Sequence, residues 1–412
     1  GAGYLRIHPE VAEQNMPRVT VQYTTKSQPS EKYPTENAHR LWQYVGAPGA
    51  DTEVTLTSNT WLYRWSESSG WAKQKGTVAL EPFVGYSITQ QGKPTYNWVT
   101  TAINQPYDVV LQKNNGGDNI FTNSYLAPIN VAAFTADDFE GDMLKTFYIF
   151  NTGSWTEWND ATTESNGAET TSQAAGQYTA IPVLSAGNLN ENTDPTLIAP
   201  MQGIYVVANE PNCTIKLDYE KHVWNTTSPG NNAMKIPNRS ATASELLRRI
   251  RIQAYGKNSG SDRMYILQDM CCTPDYDNGY DGLNMNASGQ VNIYTNEPCG
   301  MMEISASNHI DSMYIGFCAG QDTTYTLRFS SLIGDPLYIK DLVADSVISL
   351  QEDGEYQFHA PAKSVNDMRF QVVLNPKLPE NSGGDGVATN VDNISNTKLW
   401  TSDKNIYIVN IH

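Results

Sequence analysis

Leu80-Glu-Pro-Phe-Val-Gly-Tyr-Ser-Ile88 decides how the chain is read, because it occurs twice. Its second copy, Ile198-Ala-Pro-Met-Gln-Gly-Ile-Tyr-Val206, aligns with it without a gap. Pro82 and Pro200 lack an N–H and fix φ, which suits the first residue of a strand or an edge. Gly85 and Gly203 follow three residues later. A glycine inside a strand pattern marks a bulge, or a place where another group lies flat on the backbone. Tyr86-Ser-Ile88 and Ile204-Tyr-Val206 continue as strand. Each copy is followed by one more, Thr95-Tyr-Asn-Trp98 and Thr214-Ile-Lys-Leu217.

The repetition extends upstream. Trp42-Gln-Tyr-Val-Gly-Ala-Pro48 precedes the first copy, and Asn119-Ile-Phe-Thr-Asn-Ser-Tyr-Leu-Ala-Pro128 precedes the second. Trp61-Leu-Tyr-Arg-Trp65 with Gly70-Trp71 is matched by Thr146-Phe-Tyr-Ile-Phe150 with Ser154-Trp155. Three matches in one order predict an internal duplication. The predicted units are 40–112 and 113–224. The second carries an insertion, 160–195, rich in Thr, Ser, Asn, Ala and Gly, which reads as a long surface loop.

Residues 1–39 hold one alternating strand, Arg18-Val-Thr-Val-Gln-Tyr23, among Pro- and Ser-rich turns. Asn225 to Asn232 is a linker by composition, and Ala243-Ser-Glu-Leu-Leu247 predicts a short helical turn. Nine short strand patterns with turn signals between them then predict a sandwich over 240–376. Residues 377–412 are a linker and two closing strand candidates, Lys398-Leu-Trp400 and Asn405-Ile-Tyr-Ile-Val409. Two short strands bury no core alone, so they call for a partner. The fold class expected is all-β: two related β-sandwich-like units followed by a jelly-roll-like sandwich.

Composition narrows the partners. A net charge of −17 repels phosphate backbones and anionic lipid, which argues against nucleic acid. No run approaches the length of a membrane span. The five Cys leave at least one unpaired. Cys271 and Cys272 are adjacent and would pair with each other only under strain. A bridge from one of them to Cys299 and a set of buried thiols are both open readings.

The chemistry-bearing candidates are few. His8, His39, His222, His309, His359 and His412 are scattered, with no zincin motif or nucleophile elbow, so no catalytic residue is expected. Trp61, Trp65 and Trp71 in one unit, and Trp155 and Trp158 in the other, stack on sugar rings if exposed and fill the core if buried. Asp275, Asp277 and Asp281 bracket Gly279 in half of a calcium-loop pattern. The bidentate acid expected five residues on is replaced by Asn286, and Asp with Gly also makes ordinary turns. No other metal or cofactor is expected.

In this order the motifs resemble those of large extracellular proteins of Bacteroidetes-type bacteria, the substrates of type IX secretion. Asn119 to Pro128, Phe147 to Trp158 and Ile198 to Val206 look like one unit of that group, although Met201 stands where Gly is usual. Asp275-Tyr-Asp-Asn-Gly-Tyr-Asp281, Ile315-Gly-Phe-Cys-Ala-Gly320 and Thr324-Tyr-Thr-Leu327 resemble signatures of the companion domain. Gly386 to Val409 looks like the opening of a C-terminal sorting domain. The resemblance implies export by the secretion machinery through the C-terminus, and a place outside the cell or on the outer-membrane surface. It implies a non-catalytic adhesion or scaffold function, with a surface protein or glycan of host or bacterium as partner. Carbohydrate-binding modules, or the accessory region of a larger extracellular enzyme, are the alternatives.

Overall fold

The computed structural model describes residues 4–24, 42–57, 60–90, 95–151, 177–189, 196–224, 246–256, 260–285, 291–334, 336–376, 397–402 and 405–410. The described chain is all-β with a few short helical turns. It divides into a large unit, Gly1–Val373, and a small one, Leu374–His412. The small unit contains an antiparallel hairpin, Thr397–Ser402 with Asn405–Asn410.

The Pro-x-x-Gly strands hold the second position in two four-stranded antiparallel sheets. One runs Gln43–Val45, Tyr86–Gln90, Thr60–Ser66, Gly70–Lys73. The other runs Asp118–Thr122, Gly203–Val207, Thr146–Asn151, Gln177–Pro182. The strand order is the same in both. Each repeat also has a short ladder entering the Pro-x-x-Gly turn: Thr52–Thr55 with Thr77–Leu80, and Ile129–Asn130 with Leu197–Ile198. In each, the strand after the turn pairs with one that precedes the four-stranded sheet. Thr95–Thr101 pairs with Arg18–Thr24, and Cys213–Leu217 with Tyr107–Leu111.

The two turns are interlocked. Phe83 and Met201 are aligned, and both adopt left-handed backbone, with φ of 60° and 67°. That conformation costs an L-residue about 1–2 kcal/mol, which explains why Gly suits the position. Here the side chains offset the cost. Phe83 leaves its own repeat and packs in the core of the second, stacked on Tyr107 at 4.1 Å and edge-on to Tyr125 at 5.0 Å. Met201 leaves the second repeat and packs in the core of the first. The backbone follows the same exchange: the Gly46 N–H donates to Met201 O at 3.0 Å, and the Thr122 N–H donates to Phe83 O at 3.3 Å. Gly85 and Gly203 allow the approach. A Cβ on Gly85 would lie 2.5 Å from Ile120 O, and one on Gly203 would lie 2.4 Å from the Tyr44 Cβ.

Residues 246–373 form one long sheet that folds over into a sandwich. Its centre is the parallel pair Ser261–Asp269 and Gly300–Ser307. Its two flanks meet where Phe358 packs on Phe370 at 5.3 Å, beside the buried Arg369–Asp341 pair at 2.9 Å. The second repeat and this sandwich share one apolar core: Tyr265, Leu267, Ile304 and Ala306 belong to the same cluster as Phe147 and Ile204.

Two expectations are corrected, and one open alternative is decided. Part of the expected surface loop, Gln177–Pro182, is the fourth strand of the second repeat, paired along its length with Thr146–Asn151. Leu246 and Leu247 open the long strand Leu246–Gly256 rather than ending a helical turn: Leu246 pairs with Asp269, and the ladder skips Leu247 to resume at Arg248 with Gln268. The five cysteines form no disulfide: Cys272 is buried in the shared core, while Cys299 lies exposed at a hairpin turn.

Phe83→Ala should cost about 3–5 kcal/mol and Met201→Ala about 2–5 kcal/mol in urea unfolding, since each opens a cavity in the opposite repeat. Gly85→Ala should destabilise by a comparable amount because Ile120 O is backbone and cannot rotate away. A loss below about 0.5 kcal/mol in all three would refute the interlock.

Candidate functional site

The outer face of the two four-stranded sheets carries a continuous path of rings. In Thr60–Ser66, Leu62 points into the first core, and by strand alternation Trp61, Tyr63 and Trp65 take the other face. Trp65 meets Trp71 edge-on at 4.9 Å, and its indole N–H donates to Asp118 O at 2.9 Å. Tyr44 joins Trp71 to Phe150, at 5.7 and 5.2 Å. Its hydroxyl shares a 2.8 Å hydrogen bond with that of Tyr178. Tyr178 continues to Tyr205, whose hydroxyl donates to Asp118 Oδ1 at 2.5 Å. Burial pushes the Tyr44, Tyr178 and Tyr205 hydroxyls up from their ordinary pKa, so they stay neutral donors and acceptors. Trp61 and Trp65 are half-buried, while Trp71 is 37% exposed. Trp155 and Trp158 lie outside the described residues.

The three candidate calcium ligands act within the fold. The Asp277 carboxylate accepts from the Thr273 N–H at 2.5 Å and from the Thr273 hydroxyl at 3.1 Å. Asp281 is buried and accepts at 2.7 Å from the N–H groups of Asp277 and Ala306, one on each oxygen. The Asp275 N–H donates to Thr273 Oγ1 at 3.3 Å, an ordinary turn contact. Among the described residues, no three His, Cys, Asp or Glu side chains converge as a metal-holding group. The tip of the loop docks on the second repeat instead. Asn278 accepts from the Lys145 N–H at 2.7 Å and donates to Met143 O at 2.8 Å. Gly279 O accepts from the Leu184 N–H at 2.7 Å. Burial raises the Asp281 carboxyl to about 7 against the pull of its two N–H partners, and Glu297 and Asp277 add to the rise.

Other charged groups hold joints between elements. Glu67 is buried on the hairpin turn of the first repeat. Its carboxylate accepts from the N–H groups of Asn114, Asn115 and Gly117, at 2.7, 2.6 and 3.0 Å. Burial pushes that carboxyl up, but the three N–H groups outweigh it and bring it down to about 2. In the acidic run 137–142, burial likewise raises Asp138. His222, Lys221 and the Thr135 N–H outweigh it and hold the carboxyl well below the ordinary range. His222 itself is fully buried and stacked on Phe134 at 3.8 Å. His359 meets Asp322 on the surface at 2.8 Å.

Sequence reasoning missed Asn278, Glu67 and Glu303. Glu303 is buried, paired with Arg263 at 2.9 Å, and accepts from the Ala180 N–H at 2.9 Å. Only Asn278 had a signal, since it lies inside the Asp275–Asp281 motif.

The chain is similar to the minor fimbrium subunit Mfa5 of Porphyromonas gingivalis. The two are 26% identical over 365 residues, 83% of this chain and 29% of Mfa5. The chain thus spans less than a third of that relative's length. Mfa5 is a surface protein of a Bacteroidetes bacterium, the group whose motifs the sequence resembles. No family model matches the chain, and no solved structure matches it.

Two pH effects of opposite sign are expected. The lowered Glu67 carboxyl contributes stability that is full above its ordinary 4.5 and is lost as pH falls toward 2. Glu67→Gln should remove that part of the acid sensitivity. The raised Asp281 carboxyl acts the other way: stability is greatest below its ordinary 3.8 and declines as pH rises through about 7. Asp281→Asn should flatten the slope between pH 4 and 7 relative to the parent chain. Calcium or chelator should leave the melting temperature unchanged, and a rise with calcium that disappears in Asp277→Ala would make the loop a metal site.

Proposed function

We propose that this chain is a non-catalytic segment of a bacterial cell-surface protein, a rigid scaffold that holds adhesive parts in place. One observation carries the reading. The repeats exchange core side chains, and the second repeat shares its core with the sandwich, so the described residues of the large unit are held together by shared cores. Flexible inter-domain seams are the usual expectation for a chain of this length, and a shared core removes them. The likeness to a fimbrium subunit supports a surface location and a structural task.

On this reading the first unit begins at the strand Arg18–Thr24 and the second at Tyr107–Leu111, because each pairs with the last strand of its own repeat. Export by the type IX route rests on the motifs of the tail. A reporter carrying residues 374–412 would reach the medium or cell surface only if those residues suffice as a signal. The exposed Trp71 beside Trp65 supports carbohydrate binding as a second reading.

Calorimetry tests the scaffold. The large unit should melt in one transition with calorimetric and van't Hoff enthalpies equal. Separate transitions for the repeats and the sandwich would sink it. Antibody against the chain should label intact cells of the bacterium that makes it, and labelling only after lysis would contradict a surface location.

A further inference from the structure

The two repeats present the same sheet face to different surroundings. In the second repeat the sandwich covers it closely. A Cβ on Gly282 would lie 2.7 Å from the Ala180 Cβ, and the Thr146 hydroxyl donates to Asp281 O at 2.8 Å. The register transfers these positions to the first repeat. Tyr63 pairs with Ser87 as Tyr148 pairs with Tyr205, and Ser87 aligns with Tyr205. Trp61 therefore stands in the place of Thr146. Lys73, paired with Tyr63, stands in the place of Ala180, paired with Tyr148. A β-sheet approaching the first repeat at the same distance would collide with an indole and a long ammonium side chain.

What remains is a shelf. Trp71 is 37% exposed and braced edge-on by Trp65 at 4.9 Å. Lys73 follows on the same face of the same edge strand. It is exposed and makes no ion pair or hydrogen bond among the described residues. In a chain of net charge −17, this cation has no ion-pair partner among the described residues and sits two residues from the exposed Trp71 on the same strand face. A pyranose offers both complements, an apolar C–H face for the indole and a ring substituent for the ammonium.

The geometry points to a saccharide-binding shelf made by Trp65, Trp71 and Lys73, whose ligand is an acidic saccharide. The sugar ring stacks on Trp71, and its carboxylate or sulfate meets the Lys73 ammonium. Trp65 acts by fixing the Trp71 ring. The shelf rests on the second reading, carbohydrate binding, and is independent of the scaffold reading: a rigid scaffold without a saccharide remains a scaffold.

The test uses the full chain on an array of uronate-, sialate- and sulfate-bearing oligosaccharides beside their neutral parents. Acidic members should bind, and their advantage should shrink as salt rises. Trp71→Ala should weaken binding by roughly tenfold or more at a temperature where circular dichroism shows the variant folded. Lys73→Gln should remove the preference for acidic over neutral members, and Lys73→Arg should keep it. Lys73→Gln changes only an exposed side chain, so it reports even if Trp71→Ala folds poorly. No binding at millimolar saccharide overturns the proposal. Binding that survives both Trp71→Ala and Lys73→Gln also overturns it. Self-association in sedimentation that Trp71→Ala abolishes would make the shelf a contact between copies and overturn it too.

Discussion

Phe83 and Met201 each fill a core that belongs to the other repeat. The rest of the large unit depends on that exchange. The first repeat, a four-stranded sheet with two short ladders beside it, closes only a small core of its own, and small cores are marginal. By trading a large apolar side chain at the same aligned position, the repeats complete one another. The left-handed backbone at both positions is the local cost, and burial of the two side chains offsets it. The glycines two residues later serve the same purpose, since the partner's strand lies where a Cβ would be.

The second repeat passes this order to the sandwich. Its outer face carries small residues, Thr146 and Ala180, where the loop around Gly282 comes closest. The Asp275–Asp281 motif supplies the peg. Its carboxylates tie the loop to itself and to Ala306, which leaves Asn278 and Gly279 to reach Met143, Lys145 and Leu184. A pattern that looks like half a metal loop thus serves as a joint. The first repeat carries Trp61 and Lys73 at the matching positions of that face, and no sandwich strand packs on them among the described residues. One framework thus presents the same face to different surroundings in the two repeats.

The architecture was legible where chemistry repeats in order. The paired Pro-x-x-Gly stretches and their upstream aromatic strands fall at matching places in the two four-stranded sheets, and the strands that follow pair with matching partners beside them. Nine sandwich strands were readable from alternation. Gly300–Ser307 was not, because Gly-Met-Met-Glu-Ile-Ser-Ala-Ser lacks β-branched alternation and places Glu303 in the interior. Gln177–Pro182 was hidden because a long insertion separates it from its hairpin partner. The joints were the least legible. Glu67 and Glu303 act on backbone N–H groups from remote segments, and backbone donors leave no mark on a sequence. The tryptophans were named, but which one stays exposed follows from tertiary packing.

Hydrogen exchange read peptide by peptide tests the interlock most directly. Phe83→Ala lies in the first repeat, and the account predicts faster exchange in the second, in Tyr107–Leu111 and Cys213–Leu217. Met201→Ala lies in the second, and the predicted gain is in Gln43–Val45 and Tyr86–Gln90 of the first. Exchange that rises only within the repeat bearing each substitution would contradict the exchange of cores.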